Sequence, residues 1–331
     1  MKENINMGLE TSDFDQQKPT VCVLDASTYV GFWILKGLLS NGYTKPFYFF
    51  FFPCVIFANI GELCLSCSKN GAGEKEIVKR IRDMEKKEAK LVVFTVDILD
   101  YQSILGALKD CSGLFCSLDF PEGYDEKMVD LEVRGAINVI EACAQTCSIH
   151  KIVFASSLTA AVWKDNLTSE KEIDERSWSD QHLCRKLKLW YALAKTLSEK
   201  AAWALAMDRM ITMVSINSGL VLGPGVAQLN SRSTMSYLKG AAQMYENGVL
   251  AYVDVKFLVD VHLLAFNDPT TSGRYFCFNQ IVNDEDKAVK LVQNLSPLIS
   301  LPTRYECQGT EVYTERLSNK KLIKFLDDTA S

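Results

Sequence analysis

Short apolar runs that alternate with helical stretches constrain this chain more than anything else in it. Val21-Cys22-Val23-Leu24 carries no charge, which suits a strand buried on both faces. A helical pattern follows from Tyr29 to about Ser40. Leu91 to Val96 reads as the next clear strand, and Tyr101 to about Lys109 as a helix. Gly113 to Ser117 is a strand, Asp125 to Cys147 a long helix and Lys151 to Ser156 a strand. Leu187 to about Asp208 is helical, and Met210 to Ile216 is a strand leading into Gly219 and Gly223-Pro224. This order predicts an α/β chain with a doubly wound parallel sheet. The last third is less regular, with helical stretches around Met235 to Asn247 and Asp284 to Gln293.

The chain has 331 residues, enough for one large α/β domain with an appended lobe. Its net charge of -5, with both signs scattered, lacks the basic footprint of a nucleic-acid binder. Eleven cysteines without regular spacing argue against a disulfide scaffold and for buried, reduced thiols in the cytosol. Met1 to Gln17 is polar and has no apolar core, so it reads as a tail and not a signal peptide.

The expected strand ends are Asp25-Ala26-Ser27, Asp97-Ile98, Ser117-Leu118, Ser156-Ser157 and Asn217-Ser218. In such a sheet they converge on one cleft at the switch point. Tyr191 and Lys195 stand four residues apart in a helical run, so both heads reach one face. An ammonium near a phenol lowers its pKa and suits it to protonate a carbonyl oxygen. Ser157 could hydrogen-bond that same carbonyl.

Several segments resemble the extended short-chain dehydrogenase/reductases, above all plant cinnamoyl-CoA and dihydroflavonol reductases. They are Val153-Phe154-Ala155-Ser156-Ser157, Ile173 through Asp180, Trp190-Tyr191 through Lys195, Gly135 through Val139, Val221 through Pro224, and Gly273-Arg274-Tyr275. The resemblance implies a Rossmann-type sheet with a smaller, mostly C-terminal substrate lobe. Residues 18–217 would form the dinucleotide-binding domain, and 218–331 the lobe, with 163–189 contributing. It implies reduction of a small, phenylpropanoid-like carbonyl substrate (a CoA ester, ketone or aldehyde) with NADP rather than NAD. Ser157 would orient the carbonyl, Tyr191 would protonate it, and Lys195 would bind the nicotinamide ribose. Ala26, Ser27, Tyr29, Val30 and Gly31 would face the diphosphate, Asp97 and Ile98 the adenine, and Ser117, Ser218 and Gly219 the rest of the cofactor. Asn138 would hold a water or a backbone contact near the site. No metal, nucleic acid or membrane is implied.

The chain departs from the family's pattern in places. The family's G-x-x-G-x-x-G turn is Asp25-Ala26-Ser27-Thr28-Tyr29-Val30-Gly31, and only the last glycine remains. A carboxylate beside a diphosphate costs about 1 to 4 kcal/mol at contact distance. Asp25 could instead turn away and cap the helix. This motivates the alternative of a reductase-fold pseudoenzyme acting as a binding or regulatory protein. The Asn-Trp-Tyr of the family is Leu189-Trp190-Tyr191, its asparagine-proline is Asn217-Ser218, and its V-D-V-R-D is Val253 through Phe257.

Residues 45–68 form an apolar insert, Phe-rich from Phe47 to Phe57, that reads as a translated intron or gene-model error. Two prolines and Glu62 break it below the length of a membrane span. If it loops out, Leu63 through Cys67 supply the second strand, and Lys69 a charge for a 2′-phosphate. Cys64-x-x-Cys67 lacks a partner pair, which disfavours zinc.

Overall fold

The computed structural model describes residues 20–41, 47–51, 72–85, 91–120, 123–165, 172–298 and 314–330. The expected tail, Leu63 through Cys67 and Lys69 lie outside the described residues.

Seven parallel strands form the main sheet. They are β1 (Val21–Leu24), β2 (Phe47–Phe51), β3 (Leu91–Thr95), β4 (Gly113–Ser117), β5 (Lys151–Ser157), β6 (Thr212–Ser218) and β9 (Gly273–Cys277). Their order is β3-β2-β1-β4-β5-β6-β9, and every pairing is parallel. The doubly wound, Rossmann-type sheet is therefore the fold. The order reverses between β1 and β4, which opens the cleft beyond their carboxyl ends. A second sheet joins β7 (Leu220–Leu222), β8 (Ala251–Asp254) and β10 (Gln280–Ile281) in the order β10-β8-β7.

The period-two rule explains why the strands are apolar throughout. Val21 and Val23 of β1 enter one core while Cys22 and Leu24 enter the other. Val153 of β5 likewise faces the first core, and Ile152 and Phe154 the second. Helices α1 (Tyr29–Ser40), α2 (Ala72–Glu85) and α10 (Val255–Asn267) carry residues of the first core, among them Leu35, Ile77 and Leu258. Helices α3 (Tyr101–Leu108) and α4 (Glu126–Gln145) supply the second. Helix α6 (Trp190–Asp208) packs against α4 and contributes to both cores. The closest approach of α1 to α10 is at Gly37, where a Cβ would collide with Val259.

Three expectations change. The second strand is Phe47–Phe51, at the start of the Phe-rich segment, registered between β1 and β3. Phe and Tyr have high β-propensity, which suits this run of the sequence to a strand. The chain also returns from beyond residue 218 to add β9 beside β6 and α10 beneath the sheet, so it crosses the expected domain boundary. The helical stretch expected from Met235 to Asn247 is two short helices, α8 (Ser231–Tyr237) and α9 (Ala241–Glu246), after a one-turn α7 (Val226–Leu229). Gly240 lies at φ 84° between them. Helices α5 (Gln181–Lys186), α11 (Glu285–Leu295) and α12 (Lys320–Ala330) complete the fold.

Among the described residues, Cys22, Cys111, Cys116, Cys143, Cys184 and Cys277 are free and buried, and Cys147 is exposed. Among the described residues no helix is long and apolar enough to cross a membrane.

Candidate active site

The end of β5 and the start of α6 build the chemical part of the cleft. Ser157 is the last residue of β5, and its hydroxyl accepts from Thr159 N at 3.2 Å and Thr159 Oγ1 at 3.0 Å. Both bonds fix the oxygen and leave its own proton to donate. Ser157 also acts on the Tyr191 hydroxyl, where it works to lower the phenol's pKa. Tyr191 is the second residue of α6, and Lys195 lies one turn further on. Ser157, Tyr191 and Lys195 thus meet as the motif spacing predicts.

Lys195 is 4% exposed. Its Nζ donates to Leu118 O and lies 3.2 Å from Glu132 of α4. Glu132 is itself 1% exposed and also accepts from Ser198 Oγ at 2.8 Å. The ammonium is therefore matched by a buried carboxylate. The consequence for Tyr191 runs against the spacing argument. Burial holds its pKa well above the ordinary tyrosine value, with the Asp119 charge adding to it and the Ser157 hydrogen bond opposing it. Glu132 adds to the rise, so the lysine's field is offset by its own partner. Tyr191 stays a phenol at neutral pH.

A second buried network supports this floor from behind. Glu199 of α6 accepts from Ser156 at 2.8 Å, Ser215 at 2.6 Å, Asn217 at 2.7 Å and Arg274 at 2.8 Å. Arg274 of β9 also donates to the Glu175 and Ser177 carbonyls and stacks 3.8 Å from the Trp178 ring centroid. Trp178 thereby anchors the 173–180 segment to the sheet.

The turn after β1 is built differently. Asp25 is 1% exposed and holds φ 60°, the left-handed region where a glycine is at ease. Ser27 Oγ donates to its carboxylate at 2.5 Å. Thr28, and not Asp25, caps α1: its Oγ1 accepts from Gly31 N at 3.1 Å and donates to Asp25 O at 2.8 Å. Thr28 Oγ1 also lies 3.2 Å from Ser117 Oγ. Gly31 permits the turn, because a Cβ there would strike Asp25 O. Ala26 is buried, and Tyr29 Oη donates to Pro224 O at 3.1 Å. Tyr29 thus braces the turn against the far wall.

The cleft itself encloses about 50 Å³, lined by Val30, Ser117, Asp119, Tyr191, Lys195, Ser218, Gly219, Tyr237 and His262 among others. That volume holds a few waters. Asp97 and Ile98 do not line it. Asp97 Oδ1 accepts from Leu99 N at 2.8 Å, while Asp100 caps the next helix. Asn138 makes the expected backbone contact, donating to Ile98 O at 2.8 Å. Ser218 Oγ donates to Ser156 O at 3.2 Å.

The residues test unevenly against a nicotinamide dinucleotide. At the Tyr191 end they fit: His262 Nδ1 is bonded to Leu258 O at 2.7 Å, while its buried Nε2 and Thr234 Oγ1 lack partners and line the cleft. At the Asp25 turn the backbone has the shape for a diphosphate, but the side chains carry acid where it would sit.

Residues 73–281 match the 3-beta hydroxysteroid dehydrogenase/isomerase family. The chain belongs to this family. It is also 32% identical over 306 residues to cinnamoyl-CoA reductase 1 of Petunia hybrida, covering 91% of this chain and 85% of that one. This places it with the reductase branch of an oxidoreductase family, as the motifs imply. Two solved structures share the fold. Alfalfa vestitone reductase aligns with TM-score 0.63 at 23% identity, covering 93% of this chain and 92% of that one. Yeast methylglyoxal/isovaleraldehyde reductase Gre2, complexed with NADPH, aligns with TM-score 0.67 at 17% identity and 93% of each chain.

Sequence reasoning missed Asp119, Tyr124, Glu132, Thr234, Tyr237 and His262. Glu132 left a signal. Val129, Glu132, Ala136, Val139 and Cys143 share one buried stripe of α4, so a carboxylate stands where the helix period calls for an apolar residue.

Proposed function

We propose that this chain is an NADP-dependent reductase of a small, phenylpropanoid-like carbonyl compound, with Tyr191 as proton donor. The observation that carries the reading is the placement of Tyr191 and Lys195 together in the wall of the cleft at the β1/β4 switch point, with Ser157 at the end of β5. Relatedness to cinnamoyl-CoA reductases supports the substrate class, and the NADPH-bound structural relative supports the cofactor.

Lys195, Ser117, Ser218, Gly219 and His262 would hold the nicotinamide half, and Ala26, Ser27, Val30 and Gly31 the diphosphate. A bound dihydronicotinamide would supply the hydride. The protein's own part is acid catalysis and alignment. Ser157 hydrogen-bonds the carbonyl oxygen and holds it beside Tyr191. Tyr191 keeps its proton until negative charge develops on that oxygen, and then releases it to form the alcohol. Burial keeps Tyr191 protonated at neutral pH, which is the form that can donate. Tyr237 and Asn230 line the cleft on the side of α8.

The buried Asp25 carboxylate favours one competing reading, a reductase-fold binding protein that has lost turnover. Substituting Tyr191→Phe separates the two. The reductase reading expects turnover of cinnamoyl-type carbonyls to drop about 10²- to 10⁴-fold with NADPH affinity unchanged. A wild-type protein that fails to bind NADPH in fluorescence titration sinks that reading and leaves the binding protein.

A further inference from the structure

Tyr124 stands between two carboxyls. Its hydroxyl oxygen lies 2.9 Å from Asp119 Oδ1 and 2.6 Å from Glu132 Oε2. A neutral phenol has one proton to donate. It serves one carboxylate, so hydrogen bonding to the other needs a second proton carried by that carboxyl. Two carboxyls forced onto a single donor behave as a coupled pair in which one holds its proton to higher pH.

The other contacts orient the trio. Asp119 accepts from Phe120 N at 3.0 Å and from Ser233 Oγ, and it lines the cleft. Glu132 accepts from Ser198 Oγ and Lys195 Nζ, deep under α6. The Tyr124 ring packs edge-on against Tyr191 with centroids 4.9 Å apart, and Lys195 Nζ lies 5.5 Å from the Tyr124 centroid. The three groups thus run from the cleft to the buried side of the lysine. The titratable groups facing them are Lys195 and Tyr191 from α6 and Cys116 from β4, with Asp25 near Cys116.

We propose that Asp119, Tyr124 and Glu132 share one proton between two carboxyls and deliver it to Lys195, which makes Tyr124 and Glu132 positioning residues for the proton step. This rests on the reductase reading of the same cleft. The protons balance. Tyr191 gives one to the substrate oxygen and regains one from Lys195. Glu132 gives its carboxyl proton to the lysine amine and takes the Tyr124 proton. Asp119 first takes one from water in the cleft and passes it to Tyr124. Burial raises the Glu132 pKa while Lys195 opposes it, in keeping with a carboxyl that can both hold and release a proton.

Infrared difference spectra of the unliganded full-length protein at neutral pH test the shared proton without any turnover. The expected result is a protonated-carboxyl band that Glu132→Gln removes or shifts and that Tyr124→Phe displaces. Turnover against pH tests the role. Tyr124→Phe keeps the ring packing and is expected to move the midpoint of kcat by about one pH unit or more, with KM little changed. If Glu132→Gln does not fold, Tyr124→Phe alone carries both measurements. A wild-type protein with no protonated-carboxyl band overturns the proposal, and so do pH profiles of Tyr124→Phe and wild type that superimpose. Undiminished turnover in Tyr191→Phe removes Tyr191 as the proton donor, and failure of the wild type to bind NADPH removes the reductase reading, each leaving the spectrum to decide whether the proton is shared.

Discussion

The two ends of one cleft are held in different ways. Ser157, Tyr191 and Lys195 rest on interlocked buried networks that reach Glu132 in α4, Glu199 in α6 and Arg274 in β9. The Asp25–Gly31 turn is held mostly by itself: Ser27 to Asp25, Thr28 to Asp25, Gly31 to Thr28. A site wired into the core cannot drift without unfolding the protein. A locally closed turn can exchange its side chains while its backbone path survives, and Asp25 at φ 60° shows that path surviving without its glycine. Loss of the glycine signature is therefore a statement about ligand chemistry more than about fold.

The largest effect should come from the wired end. Arg274→Met leaves Glu199 buried without its cation, at a cost of about 3–5 kcal/mol. The denaturant midpoint should fall accordingly, and a midpoint close to wild type would mean that the networks are not what holds this end. Next comes His262, at the Tyr191 end of the cleft. Burial lowers its pKa to about 4. Because the folded state resists protonation, stability is full above the unfolded value near 6.5 and falls as pH drops toward 4, by about 3 kcal/mol. His262→Gln should flatten that part of the stability–pH curve.

The turn should behave in the opposite sense, with affinity moving and stability not. Asp25→Gly removes a carboxylate worth about 1–4 kcal/mol of repulsion. NADPH binding should tighten by at least about fivefold in a calorimetric titration. Its melting temperature should hardly change, since relief of left-handed strain offsets glycine's added chain entropy. The smallest effect is Thr28→Gly, which loses the cap for only a few tenths of a kcal/mol. A large destabilisation in either turn variant would erase the contrast between the two ends.

What could be read from the chain divides along similar lines. Apart from β2, the strands of the first two-thirds and the Ser157, Tyr191 and Lys195 set were legible because apolar patterning and spacing are local. Helix α10 was missed, although Leu258, Val259, Val261, His262 and Leu263 lie buried along it, because the segment was compared with a motif and not with a helix period. The second strand was missed because an unbroken Phe run has no period of its own. The grouping of Asp119, Tyr124 and Glu132 was illegible for another reason. They come from a strand-end loop and a helix, and only the packing of α4 on α6 puts them against Lys195.

The crossing of α1 and α10 at Gly37 and Val259 has a consequence for how this protein is made. The inner face of α1 meets its partner about 220 residues after it leaves the ribosome. At ordinary elongation rates that delay is roughly 10 to 40 s, during which Leu35 and Leu38 have no α10 to cover them. Helix α1 of the nascent chain is thus a natural handhold for a chaperone, released only when the last third emerges.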